Sequence, residues 1–385
     1  MYIAKLALKN FRNYNSLNIE FLNGLNVIIG NNAQGKTNIL EAIYVLGLTK
    51  TFSSSLDRST IKIGSDFSIV MGKIVNNDIS NKLEIIISGQ GKVVKINDVV
   101  QTKISDYISK LRVITFIPQN IGFINDFPSV RRKFINVEIC QISNIYLRLL
   151  NDYNILLKQR NFYLKKIVND NYDYNYLSVL DDKLIQIGYK LYLHRNDFIY
   201  KINNYIGDIF LSISGISGLV VKYVSVASEL NEYENTFKSN LDRDIHSKTT
   251  LVGIHRDDFI FELNRQNLAL YGSQGQMRLA ILALRLSELY VYRDYGLDEP
   301  VLLLDDIFSE LDIEKRNKLT KYLKNKGQVI ITTTDIEMIN KDILKRVRIF
   351  NIEDGKIKQV IKEEMLWIML MKVIMMLLIY KFWKD

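Results

Sequence analysis

The residues best suited to chemistry lie in one short segment that combines glycines with a lysine and a threonine. A glycine-containing turn lets several backbone N–H groups approach an anion such as phosphate closely. We expect the Lys36 ammonium to reach the β- and γ-phosphates of a nucleotide, and the Thr37 hydroxyl to ligate Mg²⁺. The residues predicted to bind the nucleotide in this segment are Gly30, Asn31, Asn32, Ala33, Gln34, Gly35, Lys36 and Thr37.

The sequence on either side supplies the setting that such a loop requires. Residues 25–29 are mostly apolar and predict a strand, and residues 38–46 have the pattern of a helix. A strand–loop–helix unit places the free N–H groups of the helix N-terminus against the phosphates. A glycine-containing turn that matched by chance would not need these flanking elements. The segment is therefore interpreted as a P-loop, or Walker A motif, that binds ATP with Mg²⁺.

Two adjacent aspartates follow an apolar run in the second half of the chain. Residues 301–304 are Val-Leu-Leu-Leu, which predicts a strand buried on both faces. Asp305 is expected to hold Mg²⁺, directly or through water, and Asp306 to orient or deprotonate the attacking water. An acidic pair after a strand is also common as a helix cap or a solvated loop. The P-loop elsewhere in the chain favours the Walker B interpretation, with Lys36 and Asp306 as catalytic residues.

A third segment, residues 271–276, precedes a long helical pattern and resembles the signature motif of ABC-type ATPases. Ser273 can cap this helix while the free N–H groups face an anion. A simple helix start explains the same residues, but their position shortly before the acidic strand favours the signature motif. The residues predicted to contact the nucleotide here are Ser273, Gly275 and Gln276.

Three further positions resemble the accessory loops of ABC-type ATPases. Residues 309–312 are Ser-Glu-Leu-Asp and match the D-loop, and residues 332–335 end the next strand, where these enzymes place a switch residue. Gln119 is the candidate for the catalytic glutamine of the Q-loop. An ordinary exposed loop glutamine is the alternative at that position.

The elements around these motifs change in type along the chain. As far as about residue 121 the pattern predicts short strands, with a hairpin turn at Asn23-Gly24 and a second hairpin over residues 83–96. Helical patterns over 145–156 and 180–191 predict a pair of antiparallel helices joined by a polar tip. After a strand-like run at 219–224, α/β character returns.

These patterns predict an α/β protein, an ABC-type P-loop NTPase head with an inserted helical second lobe. The head is predicted to combine residues 1–130 and 215–364, and the helical arm lobe to occupy residues 131–214. Residues 365–385 form an apolar tail that contains five of the nine methionines. The tail suits a packed terminal helix, a membrane or partner contact, or a non-native extension of the coding sequence.

Bulk composition narrows the class of protein. The 385 residues are 24% charged and 48% hydrophobic, which is ordinary for a soluble globular protein. The net charge of +9 is compatible with a polyanionic partner. Cys140 is the single cysteine, which excludes an internal disulfide and a cysteine-only metal site. No apolar signal segment follows the N-terminus. Together these features predict a cytoplasmic protein.

The motifs as a set resemble the RecF family of ABC-type ATPases. Residues 32–42, Asn-Ala-Gln-Gly-Lys-Thr-Asn-Ile-Leu-Glu-Ala, are similar to the RecF form of the P-loop, whereas SMC and Rad50 relatives carry a version richer in glycine and serine. Further matching blocks lie at 8–14, 255–258, 272–276 and 304–312, in the expected order. Only the tail falls outside the resemblance.

The resemblance implies an ATP-dependent, DNA-binding clamp of recombinational repair. Two chains would close on ATP as a homodimer, with Lys36 of one chain and Ser273 of the other contacting the same nucleotide. Slow ATP hydrolysis would then release the clamp. The implied partners are RecO and RecR, with which the family loads recombinase, and gapped DNA with its single-/double-strand junctions. The family is also linked to the SOS response, and no stable membrane partner is expected.

Several residues depart from the ABC or RecF pattern. Threonine occupies the switch position, where transporter ATPases carry histidine. Asp306 replaces the usual glutamate, which shortens the reach of the carboxylate and agrees with slow turnover. Ile254 precedes His255 where relatives typically have proline. Phe52-Ser53 stands where many relatives place a basic residue, which puts a phosphate or DNA role there in doubt.

Two groups of charged residues have competing interpretations. Residues 255–258, His-Arg-Asp-Asp, could be part of a nucleotide-sensing surface or a paired, solvated turn, and their match to the family as a unit favours a family-specific functional role. A set of basic residues could line a DNA groove through phosphate contacts, although charge on an exposed helix face is usually only solvated. This set is Arg131, Arg132, Lys133, Lys158, Arg160, Lys165 and Lys166.

The main alternative function is the ATP-binding subunit of a membrane transporter. The missing switch histidine, the inserted helical arm and the RecF-type P-loop all oppose it. An ATPase–nuclease of the overcoming-lysogenization-defect type would need an acidic metal-binding domain, and no such region follows residue 335. A Rad50-like protein would need long coiled coils and a zinc-binding cysteine pair, which the short arm and the single cysteine exclude.

Overall fold

The computed structural model divides the chain into two compact units. The first combines Met1–Pro118 with Asp298–Asp385, and the second is Gln119–Leu297. Gln119, the first residues of the predicted polar tip and the apolar tail from residue 365 lie outside the described residues. The structure describes residues 1–52, 57–117, 123–167, 172–226, 228–323, 326–335 and 347–361.

An antiparallel sheet forms one layer of the first unit. Its strands are β1 (Tyr2–Phe11), β2 (Tyr14–Glu20), β4 (Phe67–Asn76), β5 (Ile79–Ser88), β6 (Gly91–Ile96) and β7 (Val99–Val100). Their order is β2-β1-β4-β5-β6-β7. Ile3, Leu6, Leu8 and Phe11 of β1 are buried, because one face of the sheet covers the core.

The second sheet of this unit carries the predicted phosphate and acidic motifs. Its strands are β3 (Leu25–Ile29), β8 (Val113–Phe116), β12 (Val301–Asp305), β13 (Val329–Thr333), β14 (Val347–Glu353) and β15 (Lys356–Ile361). Their order is β15-β14-β3-β13-β12-β8, and all neighbours are parallel except β14 and β15. Every residue of β12 and β13 is buried, which confirms the prediction from their continuous apolar runs.

Helix α1 (Lys36–Leu48) joins the cores of the two sheets. It contacts β4 and β5 of the antiparallel sheet, and β8, β12 and β13 of the parallel sheet. Ile39, Leu40, Ile43 and Leu46 are all fully buried, because sheets cover the helix on more than one side. The other α-helices described in this unit are α2 (Ile104–Tyr107) and α11 (Ile313–Leu323).

One predicted hairpin is confirmed and the other is wrong. β5 and β6 pair antiparallel over residues 83–96, as predicted. Asn23-Gly24 instead leads from β2 in the antiparallel sheet to β3 in the parallel sheet. The Asn26 side chain holds this turn, since it accepts from the Leu22 N–H at 2.8 Å and donates to the Leu22 carbonyl at 2.9 Å. Turn residues favour a reversal of the chain but do not select the strand that receives it.

The second unit packs helices against a small sheet. Its strands β9 (Leu219–Val224), β10 (Asp258–Leu263) and β11 (Gln266–Asn267) are antiparallel in the order β11-β10-β9. Its helices are α3 (Pro128–Ile142), α4 (Asn144–Lys166), α5 (Tyr174–Asn203), α6 (Ile206–Ser214), α7 (Leu230–Ser239), α8 (Leu241–Ser247), α9 (Leu268–Tyr271) and α10 (Gln274–Asp294). α4 and α5 form the predicted helical pair. Within the described ranges, no helix is both long and apolar enough to cross a membrane.

This compact unit is larger than the helical lobe predicted over 131–214. Helix α10 packs on α5 and α6, and strand β9 packs on α5. Residues 215–297 therefore fold with the arm helices and not with the parallel sheet. Local periodicity identified the helices, but it could not show which surface each helix buries. The functional division into an ATPase head and an arm lobe stays a prediction.

Two arginines predicted to line a DNA groove are buried inside the second unit instead. Arg160 donates to Asp181 at 2.5 Å and to Asp244 at 2.6 Å. Arg131 donates to both carboxylate oxygens of Asp258, each at 2.7 Å. A buried guanidinium that is paired with carboxylates cannot also contact DNA phosphates. Other members of the predicted basic set are exposed: Lys133, Lys158, Lys165 and Lys166.

Replacing Arg160 with methionine is expected to destabilise the protein by about 3–5 kcal/mol, because two buried aspartates would lose the charge that faces them. Urea unfolding followed by far-UV circular dichroism measures the loss. Lys158→Met is the matched control, an exposed lysine on the same helix. It should change the free energy of unfolding by less than about 0.5 kcal/mol. Equal losses in the two variants would contradict the stabilising role of the buried ion pairs.

Candidate nucleotide-binding site

The loop between β3 and α1 is held at both ends by close backbone packing. Gly35 has a φ of 103°, and a Cβ there would lie 2.5 Å from Asn13 Nδ2 and 2.8 Å from the Tyr14 hydroxyl. The buried Tyr14 hydroxyl donates to the Gly35 carbonyl at 3.0 Å. At the start of the loop, a Cβ on Gly30 would lie 2.4 Å from the Ile352 carbonyl oxygen. Both positions therefore require glycine.

Lys36 is turned back onto its own loop. Its ammonium donates to the Gly30 carbonyl at 2.5 Å and to the Asn31 carbonyl at 2.9 Å. The residue is only 6% exposed. Burial lowers the pKa of Lys36, and the charges of Asp306 and Asp305 oppose that shift. The loop carbonyls thus hold the lysine at the start of α1, where the free N–H groups of the helix also point.

A threonine of β13 connects the two predicted acidic residues. Asp305 accepts from the Thr37 hydroxyl at 2.9 Å and from the Thr332 hydroxyl at 2.6 Å. Thr332 Oγ1 in turn accepts from the Asp306 backbone N–H at 3.0 Å. Burial raises the pKa of Asp305, and the hydrogen bonds from the two threonine hydroxyls oppose the rise. The two predicted Mg²⁺ ligands, Thr37 and Asp305, are therefore in direct contact.

The two carboxylate oxygens of Asp306 differ in their hydrogen bonds. The residue has a φ of 48°, in the left-handed region, and starts the short helical turn Ile307–Glu310. The hydroxyl of Ser309, in the predicted D-loop, donates to Asp306 Oδ2 at 2.9 Å. Asp306 Oδ1 is buried and has no hydrogen-bond partner among the described residues. That oxygen can accept a proton or a hydrogen bond from a bound water.

One depression on the first unit collects the predicted phosphate-binding and acidic residues. No group of three or more histidine, cysteine or acidic side chains that could hold a metal occurs in the described part of the chain. A cation bound beside Thr37 and Asp305 would therefore need further oxygen ligands from a nucleotide or from water. The depression is lined by Asn32, Ala33, Gly35, Lys36, Thr37, Asn38, Asp305 and Asp306.

The sequence motifs did not show how the β1–β2 hairpin supports this loop. Arg12 binds both carboxylate oxygens of Glu41, each at 2.8 Å, and so fixes the first turns of α1. Asn13 accepts from the Asn38 side chain at 2.8 Å and donates to the Gln34 carbonyl at 3.3 Å. The only sequence signal was the RecF-like block at 8–14, which matched the family without suggesting a role.

The predicted signature segment begins helix α10 in the second unit. The Ser273 hydroxyl accepts from the Gln276 N–H at 3.2 Å, and the Gln276 side chain accepts from the Ser273 N–H at 2.8 Å. This reciprocal capping box explains why the helix begins there. Ser273 and Gly275 are exposed. A contact of Ser273, Gly275 and Gln276 with nucleotide stays a prediction.

The block at 255–258 belongs to the second unit, where Asp257 is buried and Arg256 is exposed, and its nucleotide-sensing role stays a prediction. His255 Nδ1 is 2.8 Å from the Tyr153 hydroxyl. Asp257 is buried and accepts from the Tyr223 hydroxyl at 2.7 Å. Asp258 holds Arg131, as described above. Three of the four side chains therefore connect elements of the second unit, because each forms a hydrogen bond to a residue of another element.

Comparison with known proteins places these features in a family. The sequence model of the RecF/RecN/SMC N-terminal domain matches residues 2–358. The chain is 37% identical over 373 residues to the "DNA replication and repair protein RecF" of Ligilactobacillus salivarius, covering 93% of this chain and 98% of the relative. The chain belongs to the RecF family. It is also 40% identical over 365 residues to the RecF protein of Streptococcus gordonii, covering all of that relative and 93% of this chain.

Solved structures support the same assignment. The structure described as "RecF-ATP in RecFOR pathway" has a TM-score of 0.85 and 32% identity, and the match covers 94% of this chain and 97% of that one. An Smc head bound to a domain of ScpA has a TM-score of 0.56 at 17% identity, a likeness of fold alone. The predicted fold class, an α/β P-loop ATPase of the ABC type, is confirmed.

Removal of the Thr332 hydroxyl is expected to weaken the cation site without disrupting the sheet. In Thr332→Val, Asp305 would lose its 2.6 Å hydrogen bond and with it the orientation of its carboxylate. We expect ATP hydrolysis to require about tenfold more Mg²⁺ for half-maximal rate, the usual cost of losing a residue that orients a ligand. A Mg²⁺ titration of steady-state ATPase activity measures this.

The matched control is Thr333→Val. This neighbouring threonine is also fully buried on β13, but its hydroxyl donates to the Asp335 carbonyl at 3.1 Å instead. The control should keep the Mg²⁺ requirement of the unsubstituted chain. Equal Mg²⁺ requirements in all three proteins would show that Thr332 does not orient Asp305 for a cation.

Proposed function

We propose that this chain binds ATP with Mg²⁺ in the first unit. The bound nucleotide would control the affinity of the chain for DNA during replication and repair. The observation that carries the proposal is the convergence of Lys36, Thr37, Asp305 and Asp306 on one depression. The names of its curated relatives, which are DNA replication and repair proteins, supply the biological setting. A RecF structure with 32% identity is described as bound to ATP.

The residues of the site would have different roles in binding the nucleotide. Lys36 would exchange the Gly30 and Asn31 carbonyls for phosphate oxygens, which a buried ammonium binds strongly. The hydroxyl of Thr37 and the carboxylate of Asp305 are the oxygen ligands that Mg²⁺ prefers. Bound Mg²⁺ would neutralise charge on the transferred phosphoryl group. The cavity thus favours a nucleoside triphosphate with its cation.

Asp306 would position the attacking water. Its Oδ1 is buried beside the loop and has no hydrogen-bond partner among the described residues, so a water can use it as an acceptor. Ser309 holds the other oxygen and fixes the side chain. Because aspartate is one methylene shorter than the glutamate of most ABC enzymes, its reach is limited. We infer slow hydrolysis, suited to a switch more than to rapid turnover.

The signature segment would complete the site in a second copy of the chain. Ser273, Gly275 and Gln276 lie at the N-terminus of α10, whose free N–H groups and dipole favour an anion. The exposed Ser273 of one chain would contact the γ-phosphate held by Lys36 of its partner, so that ATP closes a homodimer. We propose that this clamp acts at single-strand gaps in the cytoplasm, with RecO and RecR, to load recombinase.

Binding to a gapped duplex tests the proposal directly. Fluorescence anisotropy at one fixed salt concentration, with and without ATP and Mg²⁺, should show about tenfold tighter binding with nucleotide. Lys36→Arg should abolish the difference, because a planar guanidinium does not reproduce the compact ammonium that the Gly30 and Asn31 carbonyls hold. Lys82→Arg, an exposed lysine of β5 paired with Asp98, should preserve it. Equal affinity in every condition would mean that nucleotide does not control DNA, and would reopen the transporter alternative.

A further inference from the structure

The arm helices carry a cluster of aromatic rings that the nucleotide site does not use. We define the arm platform as Gln159, Phe162, Tyr163 and Lys166 of α4 with Asp173 and Tyr176 at the start of α5, which together line a shallow depression. All six residues belong to the second unit. Tyr163 packs against a small satellite core made by Leu164, Ile167, Leu177 and Ile245.

Two rings of the platform face solvent even though an apolar core lies beside them. Phe162 is 62% exposed and Tyr176 is 46% exposed. Leu164, two residues further along the same helix, is fully buried. The helix thus buries this leucine and exposes the phenylalanine. A phenylalanine exposed to this extent contributes little to folding. Because Phe162 shares one depression with Tyr163 and Tyr176, the exposed rings form a patch to which another molecule can bind.

Each of the three rings has a contact within the platform. The Tyr163 hydroxyl accepts from the Asp173 N–H at 2.7 Å, and the Tyr163 and Tyr176 rings meet edge to face with centroids 4.9 Å apart. The Lys166 ammonium lies 4.3 Å from the centre of the Phe162 ring. One face of Phe162 is thus covered by a cation. A planar group can stack against a ring that is already positioned with less loss of side-chain entropy.

The charge around the rings favours a polyanion. Lys158, Lys165 and Lys166 are exposed on the last turns of α4. Asp173 is the acidic member of the platform, and its carboxylate caps α5 by accepting from the Tyr176 N–H at 3.1 Å. The exposed lysines are therefore not neutralised by the platform itself. They lie where they can contact phosphates that flank a stacked base.

Rings and lysines together distinguish between kinds of nucleic acid. In a duplex the faces of the bases are covered by their neighbours, so only the phosphates reach a protein surface of this shape. In an unpaired strand the base faces are free, and aromatic side chains bind them with little regard for sequence. An acidic protein segment would satisfy the lysines but would leave the ring faces unused.

We propose that the arm platform binds unpaired bases, with Phe162 and Tyr176 as stacking surfaces and Lys158, Lys165 and Lys166 on the backbone. This inference rests on the proposed DNA-binding function and adds what the arm contributes to it. Lysines contacting phosphates would hold any strand, whereas the rings would select the single-stranded part of a gap. The arm would thereby place the clamp at a gap instead of on continuous duplex.

The test compares three labelled substrates with the full chain, by anisotropy at one salt concentration. They are a duplex with a single-strand gap of about ten nucleotides, the same gap with abasic residues, and a continuous duplex. The double variant Phe162→Ala, Tyr176→Ala should bind the base-containing gap about tenfold more weakly. Its affinity for the abasic gap and for the continuous duplex should stay within about twofold.

A matched control removes an exposed apolar side chain elsewhere on the same helices. Leu193→Ala fits, because Leu193 is 47% exposed on α5 and lies several turns away from Tyr176. It should leave all three affinities unchanged. A second readout uses 2-aminopurine in the gap, whose fluorescence falls when the base stacks on a ring. That fall should occur with the unsubstituted chain and with Leu193→Ala, and should be lost in the double variant.

The outcomes separate this inference from the proposed function. Unchanged affinity of the double variant for the base-containing gap would refute base binding by the platform. The exposed rings would then be assigned to contact with a protein partner. Equal losses on all three substrates would also overturn it, because they would reflect charge or folding and not base stacking. The effect of ATP is measured in the same titrations. Failure of ATP to tighten binding would refute the proposed nucleotide switch. The difference in affinity between the base-containing gap and the abasic gap would still test the platform.

Discussion

The order of strands β3, β13 and β12 in one parallel sheet is the constraint on which the nucleotide site depends. β3 ends at the P-loop, β12 ends at the aspartates, and β13 lies between them. Because the carboxyl ends of parallel strands meet at one edge, Thr37 and Asp305 are in hydrogen-bond contact although they are 268 positions apart. Thr332 supplies the link from the middle strand. A shift of β13 would separate Thr37 and Asp305, the proposed cation ligands, from Asp306, which is proposed to position water.

Buried arginines connect the elements of the second unit. Arg160, Arg195 and Arg285 are each 5% exposed or less, and each binds a group from a different part of the unit. Breaking a buried pair costs far more than breaking an exposed one. These contacts fix the helices that carry the arm platform. A stiff support lets exposed rings bind a planar ligand without first being ordered.

The sequence was sufficient where function depends on local spacing. The P-loop, the buried strands at 301–304 and 329–331, and the cap at Ser273 all follow from neighbouring residues. Pairings between distant residues were not predictable. Helix periodicity could not show that Arg160 faces Asp244, and the Asn23-Gly24 turn could not indicate that the chain changes sheets. The same limit explains why residues 215–297 fold with the arm.

The central claim is that ATP held by Lys36, Thr37 and Asp305 changes the state of the chain. Sedimentation velocity of Asp306→Asn with ATP and Mg²⁺ tests it most directly, because that variant should bind nucleotide but not hydrolyse it. The account predicts a dimer with ATP, a monomer with ADP, and a monomer with ATP once Ser273→Arg is added. A sedimentation coefficient that stays the same with ATP, with ADP and without nucleotide would contradict the account.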